Sequence, residues 1–151
     1  MAPVTEEDSK VIGTMRLVYA VAAWLFVAAV VVQVFFAGLG LFAGARNFEL
    51  HAFFGFTVVH LISLLLVILG AMGHVGRRNI WLAVLLFVLI GVQVSLPGLR
   101  SDLPLVAAIH PVNALLIFWL GMQIALRARR LIGAPVAEAR ALTAEPIPTD
   151  L

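Results

Sequence analysis

Four long apolar stretches dominate the chain. They run from Leu17 to Ala45, Leu50 to about Met72, Ile80 to about Leu99, and Leu103 to Leu126. None of the four contains Asp, Glu, Lys or Arg. A transmembrane helix needs about 20 apolar residues, so each stretch is long enough to span a bilayer. The first is too long for the h-region of a signal peptide, and the segment before it is acidic (Glu6, Glu7, Asp8), so it reads as a retained span. Pro97 and Pro104 bracket the third connection, where chain breaks are expected. The predicted fold is an all-α polytopic membrane protein, a four-helix transmembrane bundle made of two repeated helical hairpins. It comprises an N-terminal segment (residues 1–16), a transmembrane domain (17–130) and a Pro-containing tail (131–151) expected to be mobile.

Composition narrows the picture in the same direction. Of 151 residues, 63% are apolar and 12% charged, and there is no cysteine. Soluble domains carry roughly twice that share of charge, about 25%. A soluble enzyme and a disulfide-stapled secreted domain are therefore excluded. The net charge is +2. The basic residues sit at the ends of the apolar runs, which argues against a nucleic-acid partner and for membrane lipid. One set of ends holds Lys10, Arg16, Arg77, Arg78, Arg127, Arg129, Arg130 and Arg140; the other holds Arg46 and Arg100. By the positive-inside rule both termini face the cytoplasm, and the first and third connections face outward. The bias toward Arg over Lys points to a bacterial source, so a bacterial cytoplasmic (inner) membrane is the expected location.

The chain repeats itself. Gln33-Val34-Phe35-Phe36-Ala37-Gly38-Leu39 aligns with Gln93-Val94-Ser95-Leu96-Pro97-Gly98-Leu99 at an offset of 60, and His51 aligns with His110 at an offset of 59. Each copy reads Gln…Gly-Leu…His. Ionisable residues inside spans are costly, so the histidines are candidate functional groups. The repeat puts both near the outer ends of the second and fourth helices, at similar depth. Gly55 and Ala114 follow one turn deeper and leave room beside each imidazole. Facing imidazoles in a bundle core are what a bis-histidine haem b requires. Arg46 and Arg100, one per repeat, are candidate partners for its propionates. Gln33 and Gln93 are candidate acceptors for the second N–H of each imidazole, or interhelical hydrogen-bond partners.

The remaining polar residues read otherwise. His60 lies nine residues after His51, so it faces the opposite side, as a buried histidine bonded to a serine or backbone group. His74 reads as a solvated loop residue. Asn113 is expected to bond His110 or a neighbouring helix. Trp24, Trp81 and Trp119 read as packing or interfacial anchors.

Three segments carry a family resemblance: Val106-Ala107-Ala108-Ile109-His110-Pro111-Val112-Asn113-Ala114-Leu115-Leu116-Ile117-Phe118, Glu49-Leu50-His51-Ala52-Phe53-Phe54-Gly55, and Val92-Gln93 before Pro97-Gly98-Leu99. Together they resemble one four-helix half of the heme A synthase family, over about residues 20 to 126. The resemblance implies a haem b held by His51 and His110. That family has Glu three residues before the first histidine and Arg directly after it, whereas here Glu49 lies two before His51 and Ala52 follows. Its cysteine pair is missing too. The catalytic chemistry of that family is therefore not implied. The chain is also similar to a family of small four-helix membrane proteins of actinobacteria, for which no activity is implied.

The leading expectation is a membrane b-type cytochrome for electron transfer or haem handling. A redox protein or quinone would be its partner, and a homodimer is suggested by the two-half architecture of heme A synthase. The competing expectation is a cofactor-free structural or accessory subunit of a larger membrane complex. A transporter or proton path is disfavoured by the absence of carboxylates within the spans.

Overall fold

The computed structural model describes residues 6–132. It contains four helices long and apolar enough to cross a membrane: α1 (Glu6–Phe42), α2 (Ala45–Met72), α3 (Arg77–Leu99) and α4 (Pro104–Arg130). Among the described residues there is no strand. The chain is thus a multi-pass, all-α membrane protein, as its apolar runs predict. Residues 133–151, most of the predicted tail, lie outside the described residues.

Each helix packs beside the next, and α4 closes back on α1. The cross-section is a ring of four in chain order, with α1 opposite α3 and α2 opposite α4. The two histidine-bearing helices therefore face each other across a diagonal.

The first helix is longer than the apolar run predicts. It has 37 residues and starts at Glu6 rather than Leu17. At 1.5 Å per residue it is about 55 Å long, well beyond a hydrocarbon core of about 30 Å. Hydropathy marks where lipid begins, not where helical hydrogen bonding begins. Glu6, Glu7 and Asp8 in the first turn suit the unpaired N–H groups there.

Between helices in lipid there is little hydrophobic driving force, so close packing at small residues decides how they associate. Ala23, Ala83 and Ala125 are fully buried where the helices meet. Gly121 is the tightest of these sites: a Cβ there would lie 2.8 Å from the Phe26 ring. Tyr19, Phe26, Leu66, Leu86 and Ile124 complete the core. Every one of these residues belongs to the arginine-rich half of the bundle. Toward the histidine end, over residues 31–58 and 91–113, the buried residues thin to Gly40, Leu96 and Asn113. Burial is thus concentrated at the arginine-rich end of the bundle.

Two of the histidine-bearing segments are irregular. In α2 a π-turn occupies Gly55–Val59, directly after the turn that holds His51. In α4 the helix is interrupted at Ala108. Pro111 has no N–H to give the carbonyl four residues back, at Ala107, which accounts for that break.

Candidate functional site

The ring centroids of His51 and His110 lie 6.2 Å apart, with their planes at 62°. The repeat thus brings together the two histidines expected to share a site. Each is held in the same way by the preceding helix of its own hairpin. His51 Nδ1 lies 3.0 Å from the main-chain carbonyl of Gln33, and His110 Nδ1 lies 3.0 Å from that of Gln93. A carbonyl oxygen only accepts, so both rings carry their proton on Nδ1. Both Nε2 atoms are left with a free lone pair. The side-chain amide nitrogens of Gln33 and Gln93 sit against them, at 3.3 Å and 3.2 Å, and donate.

This corrects one detail of the sequence reading. The acceptor that fixes each imidazole is the main chain of the glutamine, not its side-chain carbonyl. The side chains do something else: they cover the coordinating nitrogens.

The two halves differ in how each glutamine is held. Asn113 Nδ2 donates to Gln93 Oε1 at 2.8 Å and to the Leu89 carbonyl at 3.0 Å. Asn113 therefore bonds a neighbouring helix rather than His110. Its counterpart in the first repeat is Phe54, which packs edge-on against Phe36 at 5.2 Å. Gln33 donates to the His51 carbonyl at 2.9 Å, but its Oε1 is buried with no hydrogen-bond partner.

Gly55 also has a different role from the one expected. A Cβ at this position would lie 2.5 Å from the Gln33 amide nitrogen. The glycine makes room for Gln33 rather than for the imidazole directly. Ala114, its repeat counterpart, is half-buried. Arg46 and Arg100 lie exposed in the connections at the histidine end. Arg100 reaches only its own turn, donating to Pro97 O at 3.4 Å.

His60 stands apart from this cluster. Its ring packs edge-on against Phe87 of α3 at 5.1 Å and beside Phe56 at 6.0 Å. The π-turn takes up about one residue, which turns His60 to roughly a right angle from His51 instead of the opposite face. Ser63 donates to the His60 carbonyl at 2.7 Å, not to the ring, and ring Nδ1 is buried without a partner. The expected serine or backbone bond to the imidazole is absent.

At the opposite end lies a polar layer that hydropathy does not reveal. Arg16 is 2% exposed, and its Nε donates to the Gly73 carbonyl at 3.0 Å. It ties α1 to the α2–α3 turn, where His74 takes a positive φ of 47°. Arg127 Nε donates to Asn79 Oδ1 at 2.8 Å, joining α4 to α3. Exposed His74 matches its expected loop role.

Among the described residues no group of three or more His, Cys, Asp or Glu gathers as a metal site. The paired histidines are the candidate ligand set. In comparisons with known proteins, residues 33–98 match the model of a family described as being of unknown function (DUF6220). No curated protein matches, and no solved structure matches. The resemblance to heme A synthase finds no support among these comparisons. What they do show is that the stretch from Gln33 through Gln93, holding the first hairpin's site and the first half of the second, is similar to a family of proteins of unknown function.

Proposed function

We propose that the protein is a membrane b-type cytochrome in which His51 and His110 would hold one haem between α2 and α4. The observation that carries this reading is the pair of Nδ1-protonated imidazoles 6.2 Å apart across the bundle diagonal. A ligand histidine ordinarily gives its other N–H to a carbonyl, which is the arrangement here on both sides.

Two further features fit the group. The histidine end of the bundle is the half with few fully buried side chains, where a flat apolar macrocycle would add buried contact. Among the described residues the only cations of that end are Arg46 and Arg100, both exposed and suited to propionates. Gln33 and Gln93 would have to turn their amides away from Nε2 for ligation. The orphaned Gln33 Oε1 marks the side on which this costs less. When bound, a haem held by two histidines would supply one-electron redox chemistry. The chain's part is to fix the tautomer, orient the rings and exclude water with apolar helices. The expected location is a bacterial inner membrane with both termini inside, from the eight-to-two division of basic residues.

The test is the visible spectrum of protein purified after expression with haem available. A low-spin six-coordinate spectrum is expected, lost in His51→Ala and in His110→Ala and kept in His60→Ala and His74→Ala. A folded, colourless protein, or an unchanged spectrum in either of the first two variants, removes the site from this pair.

A second reading keeps the same residues without a cofactor. Apart from Gln33 Oε1, the side-chain polar atoms of Gln33, His51, Gln93 and His110, together with Asn113 Nδ2, find partners within the protein. That closure suits a structural or accessory subunit, with the Gln–His pairs as interhelical bonds. The same spectrum separates the two.

A further inference from the structure

Two shallow apolar grooves lie at the arginine-rich end, on opposite faces of the bundle. One, of about 300 Å³, runs between α1 and the end of α4 and is lined by Ala20, Val21, Trp24, Leu25, Arg129 and Ile132. The other, of about 380 Å³, runs between the end of α2 and the start of α3 and is lined by Ala71, His74, Gly76, Arg77, Ile80 and Trp81. The internal repeat relates part of their walls, though not their arginines. A shift of 60 carries Ala20 onto Ile80 and Val21 onto Trp81, and the α1–α4 pair onto α3–α2. Each groove carries one exposed tryptophan and one exposed arginine.

Arg77 and Arg129 differ from Arg16 and Arg127 of that layer, and they are the arginines that line the grooves. Arg16 is spent on the Gly73 carbonyl and Arg127 on Asn79. Among the described residues, neither Arg77 nor Arg129 makes an ion pair or side-chain hydrogen bond. An uncommitted guanidinium at the rim of a hydrocarbon-lined groove matches an amphiphile with an anionic head. The guanidinium fork fits a phosphodiester, and the apolar wall fits an acyl chain. Tryptophan prefers the level of the glycerol backbone, where one edge is wet and the other apolar. Arg78 and Arg130 add further positive charge at that end, where Lys10 is paired with Glu6 and the arginines outnumber the acidic residues of the first turn of α1, which favours anionic over zwitterionic headgroups.

We infer that each groove binds one anionic glycerophospholipid, its phosphate on Arg129 or Arg77 and an acyl chain along Trp24 or Trp81. This is independent of the haem proposal. The test uses delipidated protein in detergent, titrated with short-chain phosphatidylglycerol or phosphatidylcholine and followed by native mass spectrometry. Two phosphatidylglycerol adducts are expected, with phosphatidylcholine at least about five-fold weaker. Arg129→Gln and Arg77→Gln should each weaken one adduct by about five-fold, and the double variant both. Excess inorganic phosphate should displace neither. Both arginines are exposed, so these variants are expected to fold, and unchanged circular dichroism checks that. Equal binding of the two lipids, adducts indifferent to both substitutions, or displacement by phosphate would each overturn the inference.

Discussion

Asn113 donates a hydrogen bond to the side-chain oxygen of Gln93 at 2.8 Å, and the equivalent oxygen of Gln33 accepts none. The near-symmetric site is therefore clamped on one side and loose on the other. In both halves a glutamine amide covers the lone pair that a metal would use. The clamped half gives up more to release it.

If that is so, Gln33→Leu should bind haem as tightly as the parent or more tightly. The substitution removes a competitor for His51 Nε2 and leaves the main-chain carbonyl that holds Nδ1 in place. Haem affinity measured by titration checks this. A clear loss of affinity would mean that the Gln33 side chain helps hold the cofactor.

Asn113→Leu should destabilise the apoprotein by about 1–2 kcal/mol. It deletes two interhelical bonds, each worth on average about 0.6 kcal/mol in membranes and at most about 1.7. It also leaves Gln93 Oε1 without its donor. Unfolding in detergent–denaturant mixtures gives the number, and an unchanged midpoint would show that the clamp contributes nothing.

Gly55→Ala should cost about 1–3 kcal/mol, because its Cβ would fall 2.5 Å from the Gln33 amide nitrogen. The cost should largely vanish in a Gln33→Ala background, where the overlapping atoms are gone. Such non-additivity is the mark of direct contact. Additive effects of the two substitutions would place the strain elsewhere.

Arg16→Met should destabilise the bundle by about 2–3 kcal/mol, the scale of a buried hydrogen bond from a charged donor. Arg16→Lys should not restore it, since an ammonium lacks the guanidinium fork that reaches the Gly73 and His74 carbonyls. Thermal unfolding of the two variants beside the parent is the measurement. Full rescue by lysine would reduce Arg16 to a simple charge.

Arg46→Gln and Arg100→Gln should each lower the haem midpoint potential. A cation near the iron favours the reduced form, which carries one positive charge less. The loss in haem affinity should be small, since both side chains are exposed and such pairs contribute only about 0–1 kcal/mol. A redox titration in which both variants keep haem and neither midpoint falls would separate these arginines from the propionates.

Gly44→Cys tests the orientation. The chain has no cysteine of its own, so labelling is clean. Reagent from the outer side should reach it, because the connection between α1 and α2 belongs to the arginine-poor end. Labelling from the cytoplasmic side alone would invert the topology.

Hydropathy alone determined the four spans, because a bilayer makes burial in lipid a property of each segment by itself. The repeat spacing likewise determined that His51 and His110 lie at one depth, since helical rise is a local quantity. Three things were decided only by the tertiary structure. The acceptor for each imidazole is a main-chain carbonyl, and every residue carries one, so no side-chain type announces which will serve. The direction of His60 depends on the π-turn at Gly55–Val59, which sets its ring against Phe87 of a neighbouring helix. The burial of Arg16 follows from the length of α1 and from carbonyls 57 and 58 residues away that the α2–α3 turn aims at it. In each case the deciding partner is a backbone atom or a neighbouring helix, and a one-dimensional pattern contains neither.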